Sequence, residues 1–300
     1  MSANVLVPLD GSLLAERALP VAASLVKQRH GRLELALVHE PIAFDGFVDA
    51  PWSAMTESMQ DRYVIDKAAQ LGTACESTVG HALLHGDVAK EICKRAREVD
   101  AEVIVMSTHG RTGLDRTFNG SVADEVIRAS SVPVLLLRQP AAGTTPLEFK
   151  RIVVPIDDSA QSREIFAHAA ALALPGETTF VLLRVVPPMR YVIDGSMPYG
   201  YVAGPVDESA TDSIVGDAEQ ALVGPAADLG VQSKCDVEPR VIVSDATGKT
   251  IVEYARTIGA DLIAMMTHGR ATSRLLLGSV TDDVLHHSDI PLLVLRPSPE

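Results

Sequence analysis

Apolar and polar positions fall in blocks along this chain. Short, nearly continuous apolar runs at Val5–Leu9, Leu33–His39, Glu102–Ser107 and Val134–Arg138 alternate with longer stretches at Leu14–Arg29, Glu57–Leu71, Val88–Val99 and Val122–Ala129. In the longer stretches the apolar residues recur three or four apart. The short runs have the pattern of strands buried on both faces, and the longer stretches that of amphipathic helices. Around Glu76–Leu84 the apolar signal is weaker, and a strand there completes five. Pro20 lies inside the first predicted helix and is expected to kink it. Strands alternating with helices predict an α/β fold: a five-stranded, mostly parallel, doubly wound sheet with helices on both faces.

The pattern then occurs again. Val5-Leu-Val-Pro-Leu-Asp10 returns as Ile152-Val-Val-Pro-Ile-Asp157, and Val103-Ile-Val-Met-Ser-Thr-His-Gly-Arg111 as Leu262-Ile-Ala-Met-Met-Thr-His-Gly-Arg270. Gly120-Ser121 and the helix after it return at Gly278-Ser279, and Val132–Arg138 returns at Ile290–Arg296. Matches in one order at a domain-sized period indicate a duplication and not a solenoid. The offset grows from 147 residues at Asp10/Asp157 to 159 at Gly110/Gly269, so the second copy carries 12 extra residues in its middle. The expected organisation is a first domain over 1–140, a linker over 141–149 and a second domain over 150–300. The stretch from Gln139 to Pro146 is rich in Pro, Gly and Thr and lacks an apolar pattern.

Charge and cysteine content narrow the function classes. A net charge of −13 repels phosphate backbones and argues against a general nucleic-acid binder. It leaves room for one bound nucleotide, because backbone amides can hold phosphate whatever the overall charge. Cys75, Cys93 and Cys235 form no CxxC pair, which suits reduced thiols in a cytoplasmic protein. No signal peptide and no bilayer-spanning run is visible, so no membrane role is expected.

The candidate chemistry sits where such sheets bind ligands, beyond the carboxyl ends of the strands at the point where their order reverses. Asp10 and Asp157 end the first strand of each copy, and His109-Gly110 and His268-Gly269 follow the fourth. In the first copy nine residues separate Gly110 from Gly120-Ser121, which opens a helix. Glycines let backbone approach an anion, and a helix start directs free N–H groups and the positive end of its dipole at the same point. The Ser121 hydroxyl can add a hydrogen bond. The lysine of a GxxxxGK[ST] loop is absent.

At these residues the chain resembles a tandem universal stress protein over almost its whole length. ATP-binding members of that family carry Gly-x2-Gly-x9-Gly-Ser/Thr after the fourth strand and an Asp at the end of the first. Here Gly110 and Gly120-Ser121 match, while Ser107 replaces the first glycine. In the second copy Gly269 and Gly278-Ser279 match, Met266 replaces the first glycine, and the spacer has eight residues instead of nine. The resemblance implies two such domains binding adenine nucleotide, ATP with or without Mg2+. In the first copy it implies contacts at Pro8, Leu9, Asp10, Met106, Ser107, His109, Gly110, Arg111, Gly120, Ser121 and Val122. In the second it implies Pro155, Ile156, Asp157, Met265, Met266, His268, Gly269, Arg270, Gly278, Ser279 and Val280. With the longer spacer and the smaller replacement, the first site is expected to hold ATP in preference to the second.

Each of these residues has a second reading. Asp10 and Asp157 can cap the following helix, although Ser12 and Ser159 offer alternative caps. His109 and His268 can bind phosphate, move a proton or pack the loop. Arg111 and Arg270 can neutralise phosphate or sit in solvent. His81-x3-His85 and His286-His287 are not expected to bind metal, and no metal or catalytic residue is assigned. Lys90, Lys94 and Arg95 around Cys93 could lower its thiol pKa. The aromatic segments Ile42–Met55 and Pro187–Val206 are candidate lids or partner surfaces. The expected function is an ATP-binding regulatory or adaptor protein of the stress response with an unidentified protein partner. A slow ATPase or adenylating enzyme, or an interaction module with vestigial sites, are the alternatives. The apolar last strands are expected to pair the copies within one chain as a pseudo-dimer, and homodimers can form beyond that.

Overall fold

The structure, a computed structural model, describes residues 4–39, 57–75, 78–108, 122–138, 148–192, 203–267 and 278–297. The first copy contains β1 (Asn4–Leu9), α1 (Ala18–Arg29), β2 (Arg32–His39), α2 (Glu57–Cys75), β3 (Val79–His85), α3 (Val88–Glu98), β4 (Val103–Ser107), α4 (Val122–Ala129) and β5 (Val134–Leu137). The second contains β6 (Arg151–Pro155), α5 (Ile165–Leu172), β7 (Thr179–Val186), a hairpin of β8 (Arg190–Val192) and β9 (Ala203–Val206), and α6 (Glu208–Ser233). It continues with β10 (Asp236–Val243), α7 (Thr247–Thr257), β11 (Leu262–Met266), α8 (Ser279–His287) and β12 (Leu292–Leu295).

Each copy is a parallel five-stranded sheet in the order β3-β2-β1-β4-β5 or β10-β7-β6-β11-β12. The strand order reverses between β1 and β4, and between β6 and β11, as expected of a doubly wound fold. Alternate residues of each strand enter different cores. Val5, Val7, Leu9, Leu35 and Leu37 pack with α1 and α2 residues such as Leu25 and Val64. Leu6, Ala36 and Ile104 pack with Ile92, Val126 and Ile127 of α3 and α4. The weak run around Glu76–Leu84 does form a strand, β3, at the edge of the sheet, where half-buried side chains leave little apolar signature. The second copy's extra length falls between β7 and β10. There α6 runs to 26 residues against 19 in α2, and the hairpin precedes it.

One local expectation changes. Pro20 kinks nothing, because a 3-10 turn at Ala15–Arg17 precedes α1 and puts Pro20 in the helix's first turn, where a missing N–H costs no intrahelical bond. The second copy has the same break, a 3-10 turn at Gln161–Arg163 before α5, with Ala167 at the matching place. The break therefore belongs to the repeat, and Pro20 fits it.

The copies join through their last strands, as their apolar character suggested. β12 pairs antiparallel with β5, with Leu292 opposite Leu136, Leu293 opposite Leu135 and Val294 opposite Val134, giving one ten-stranded sheet. Two unpaired edges thereby become one buried seam. No helix among the described residues is long and apolar enough to cross a membrane.

Candidate functional site

At the carboxyl end of β1 the backbone turns through Gly11, whose φ of 79° is open to glycine at little cost. The turn is closed by side chains. The N–H of Ser12 donates to Asp10 Oδ1 (2.8 Å), and the N–H of Ala15 donates to Ser12 Oγ (3.1 Å). In the second copy the N–H of Ser159 donates to Asp157 Oδ1 (2.9 Å), and so does its hydroxyl (2.5 Å). Ser159 Oγ in turn accepts from the N–H of Ser162 (3.2 Å). Neither aspartate caps a helix. Each holds a two-residue turn, and the serine carries the connection to the helical segment. The carboxylates are thus fixed at the rim, Asp10 exposed and Asp157 half-buried.

β4 ends beside β1 at Met106 and Ser107. Ser107 Oγ is buried with no hydrogen-bond partner among the described residues, a condition that normally calls for a partner from a ligand, water or another part of the chain. In the second copy the corresponding Met266 is buried. There α8 begins after Gly278, which supplies no side-chain cap, so the first amides are open to an acceptor. The helix start is tied to the end of β11. The N–H of Gly278 donates to the Thr267 carbonyl (2.9 Å), and the Thr281 hydroxyl donates to the carbonyls of Met266 (3.1 Å) and Thr267 (3.0 Å). Pro8, Leu9, Pro155, Ile156, Met265, Ser279, Val122 and Val280 lie at these same strand ends and helix starts. His109, Gly110, Arg111, Gly120, Ser121, His268, Gly269 and Arg270 lie outside the described residues, as does the aromatic segment Ile42–Met55.

Sequence reasoning missed the walls of the two clefts, which differ. In the first copy β2 and β3 end at register partners His39 and His85, with ring centroids 5.7 Å apart. His39 Nδ1 meets Gln60 Oε1 (2.7 Å), and His85 Nε2 meets Glu57 Oε1 (2.9 Å). Tyr63 donates to Glu16 (2.8 Å), and Lys67 donates to the other Glu16 oxygen (2.7 Å). Burial, reinforced by the Glu16 carboxylate, pushes the Tyr63 phenol far above its ordinary pKa. An open depression of about 640 Å³ is lined by Glu57, Ser58, Asp61, Leu83 and His85, over β3 and α2 rather than β1 and β4. In the second copy the two strands end at Val186 and Val243. Arg184 there forms a two-point ion pair with Asp158 (2.5 and 2.7 Å). A lone arginine in the apolar run Phe180–Val186 was the available signal.

The weaker candidates resolve as follows. Cys93 is buried, and burial raises its thiol pKa instead of lowering it. The neighbouring cations are turned elsewhere: Lys90 pairs with Asp87, Lys94 with Glu91 and Arg95 with Glu34. His81 and His85 share a strand, where four residues span about 13 Å. At the end of α8 the Nδ1–H groups of His286 and His287 donate to the carbonyls of Asp282 and Asp283 (2.7 and 2.8 Å). Among the described residues no group of three His, Cys, Asp or Glu side chains could hold a metal ion.

A doubly wound sheet, duplicated, with an aspartate held at each switch point, defines a tandem α/β protein. The universal stress protein family matches residues 1–138 and again 148–296, and the chain belongs to that family. A universal stress protein of Mycobacterium tuberculosis is 24% identical over 304 residues, covering 98% of this chain and 97% of the relative. Universal stress protein YxiE of Bacillus subtilis is 29% identical over 151 residues, covering 45% of this chain and 98% of its own length. Among solved structures, a universal stress protein from Archaeoglobus fulgidus superposes with a TM-score of 0.68 at 20% identity, covering 99% of this chain and 97% of that one.

Proposed function

We propose that this chain binds ATP in the cleft at the ends of β1 and β4, and acts in the stress response as a nucleotide-responsive regulatory or adaptor protein in the cytoplasm. The observation that carries the reading is Asp10, held by the Ser12 amide at the carboxyl end of β1 beside the end of β4, where the strand order reverses. Ser107 supports it, since its buried hydroxyl faces no partner among the described residues at the position where ATP-binding relatives have glycine. The His109–Ser121 segment, with Gly110 and Gly120-Ser121, supplies the residues to cradle phosphates ahead of α4. Asp157, Gly278 and Ser279 form the equivalent candidate cleft in the second copy. Mg2+, where present, would enter as the counter-ion of the triphosphate.

The test is direct. Denaturing the purified protein and analysing the supernatant is expected to release adenine nucleotide, and titration with Mg2+-ATP is expected to show saturable binding. Asp10→Ala and Gly120→Val, the second filling the cradle with a side chain, are expected to weaken first-site binding at least tenfold. Unchanged affinity in both variants, with the second cleft disabled by Asp157→Ala, sinks the assignment.

A further inference from the structure

We propose that the Arg184–Asp158 ion pair bars ATP from the second cleft, so that one chain holds one nucleotide, at Asp10. This rests on the nucleotide-binding reading above and adds which of the two clefts accepts the ligand.

The argument starts from register. Pro8 lies opposite Ala36 in the first copy, and Pro155 lies opposite Leu183 in the second. Arg184 is therefore the counterpart of Leu37, and Asp158, one past Asp157, is the counterpart of Gly11. At these two places the first copy has a fully buried leucine and a residue with no side chain. The second copy has two opposite charges locked together by a pair of hydrogen bonds of 2.5 and 2.7 Å. The backbone differs as well: Gly11 turns with φ of 79°, whereas Asp158 is not among the residues with positive φ.

The pair sits at the ends of β6 and β7, directly beside Asp157. A purine is a flat, weakly polar body that favours apolar contact and a few directed hydrogen bonds. Beside Asp10 the two matching places are Leu37, turned into the core, and Gly11, so no ion pair has to be covered there. Beside Asp157 it would have to cover a charged pair whose side chains are 18% and 42% exposed, stripping their water, or else displace one partner. The next rim contact is also ionic. Arg190 on the β8–β9 hairpin bonds Asp245 (2.6 Å), fastening the inserted hairpin over the ends of β7 and β10. The second copy thus places a charged pair and a fastened hairpin at the ends of β6, β7 and β10.

Calorimetric titration with Mg2+-ATP tests the proposal. The wild-type chain is expected to bind one equivalent, lost in Asp10→Ala and retained in Asp157→Ala. Arg184→Leu combined with Asp158→Gly, which copies the first cleft into the second, is expected to bind two. Arg184→Leu alone, an apolar replacement in an apolar strand, is expected to gain a weaker second equivalent. Two equivalents in the wild type overturn the proposal, as does a double variant that is folded by circular dichroism and still binds one. A wild-type chain that binds no ATP overturns the nucleotide reading itself, a result that stoichiometry separates from the other two.

Discussion

Arg138 donates a hydrogen bond from its guanidinium to the carbonyl of Leu285, tying the end of the first copy's last strand to the final turn of the second copy's last helix. The same guanidinium reaches Thr108 Oγ1 (3.2 Å), the residue that follows β4. Arg296, at the matching place in the second copy, donates to the Arg128 carbonyl in α4 (2.7 Å). Carbonyls in the last turn of a helix lack intrahelical donors, so each copy supplies the other's missing partner. Arg138 is buried deeply enough that its pKa falls to about 10, and its charge is held by oxygen dipoles at the seam.

Replacing Arg138 with methionine keeps the length of the side chain and removes the donors. The buried Leu285 carbonyl and Thr108 hydroxyl are left short of partners, a loss of about 1–3 kcal/mol. Urea unfolding of Arg138→Met is expected to show a lower midpoint, with a smaller shift for the less buried Arg296→Met.

Separating the copies exposes the β5 edge, four apolar residues with unpaired backbone. Residues 1–140 expressed alone are expected to self-associate through that edge. Sedimentation that shows only monomer over a wide concentration range contradicts the role given to the seam.

Gly248 on α7 lies against Asp283 of α8. A Cβ placed there would come within 2.5 Å of Asp283 Oδ2 and 2.7 Å of its Cβ, too close for side-chain rotation alone to relieve. Gly248→Ala is expected to force the helices apart and lower stability by about 1–3 kcal/mol, read as a fall in melting temperature. Alanine's better helix propensity offsets less than that.

His168 on α5 is partly buried, and desolvation outweighs the pull of Glu102 and Glu164, so its pKa lies below 6.5. The unfolded chain then binds the proton more readily than the folded one. This residue's contribution to stability is level above pH 6.5 and declines as pH falls from there toward the folded-state value. His168→Phe is expected to flatten that part of the stability profile, measured by denaturation from pH 7.5 down to 5.

Cys93 is held as a thiol by burial. Maleimide labelling of the native protein at pH 7 is expected to leave it unmodified, with reaction appearing in urea. Rapid native labelling, located by peptide mass, contradicts its placement between α3 and α4.

What could be read in advance divides along physical lines. Residues whose pattern is enforced by burial on both faces, such as Val5–Leu9 and Val103–Ser107, announced their strands, and the duplicated Asp10/Asp157 pointed to the switch points. Edge strand β3 was faint because one side of it faces solvent. Cys93 misled because sequence proximity to lysines says nothing about which way a helix turns them. The Arg184–Asp158 pair needed the register of β7 on β6, a relation between residues 26 apart that no local pattern contains. Pro20 was misplaced because a 3-10 turn and an α-helix share nearly the same apolar spacing over one turn.

The antiparallel seam has a consequence for how the molecule meets its surroundings. Because β5 and β12 run in opposite directions, all the strands of one copy point away from those of the other. Asp10 and Asp157 therefore look out from opposite rims of a single sheet, like keyholes on the two sides of a door. A molecule seated on one rim lies on the far side of the sheet's strands from the other rim. Duplication has here produced one sheet with two separate rims, turned away from each other.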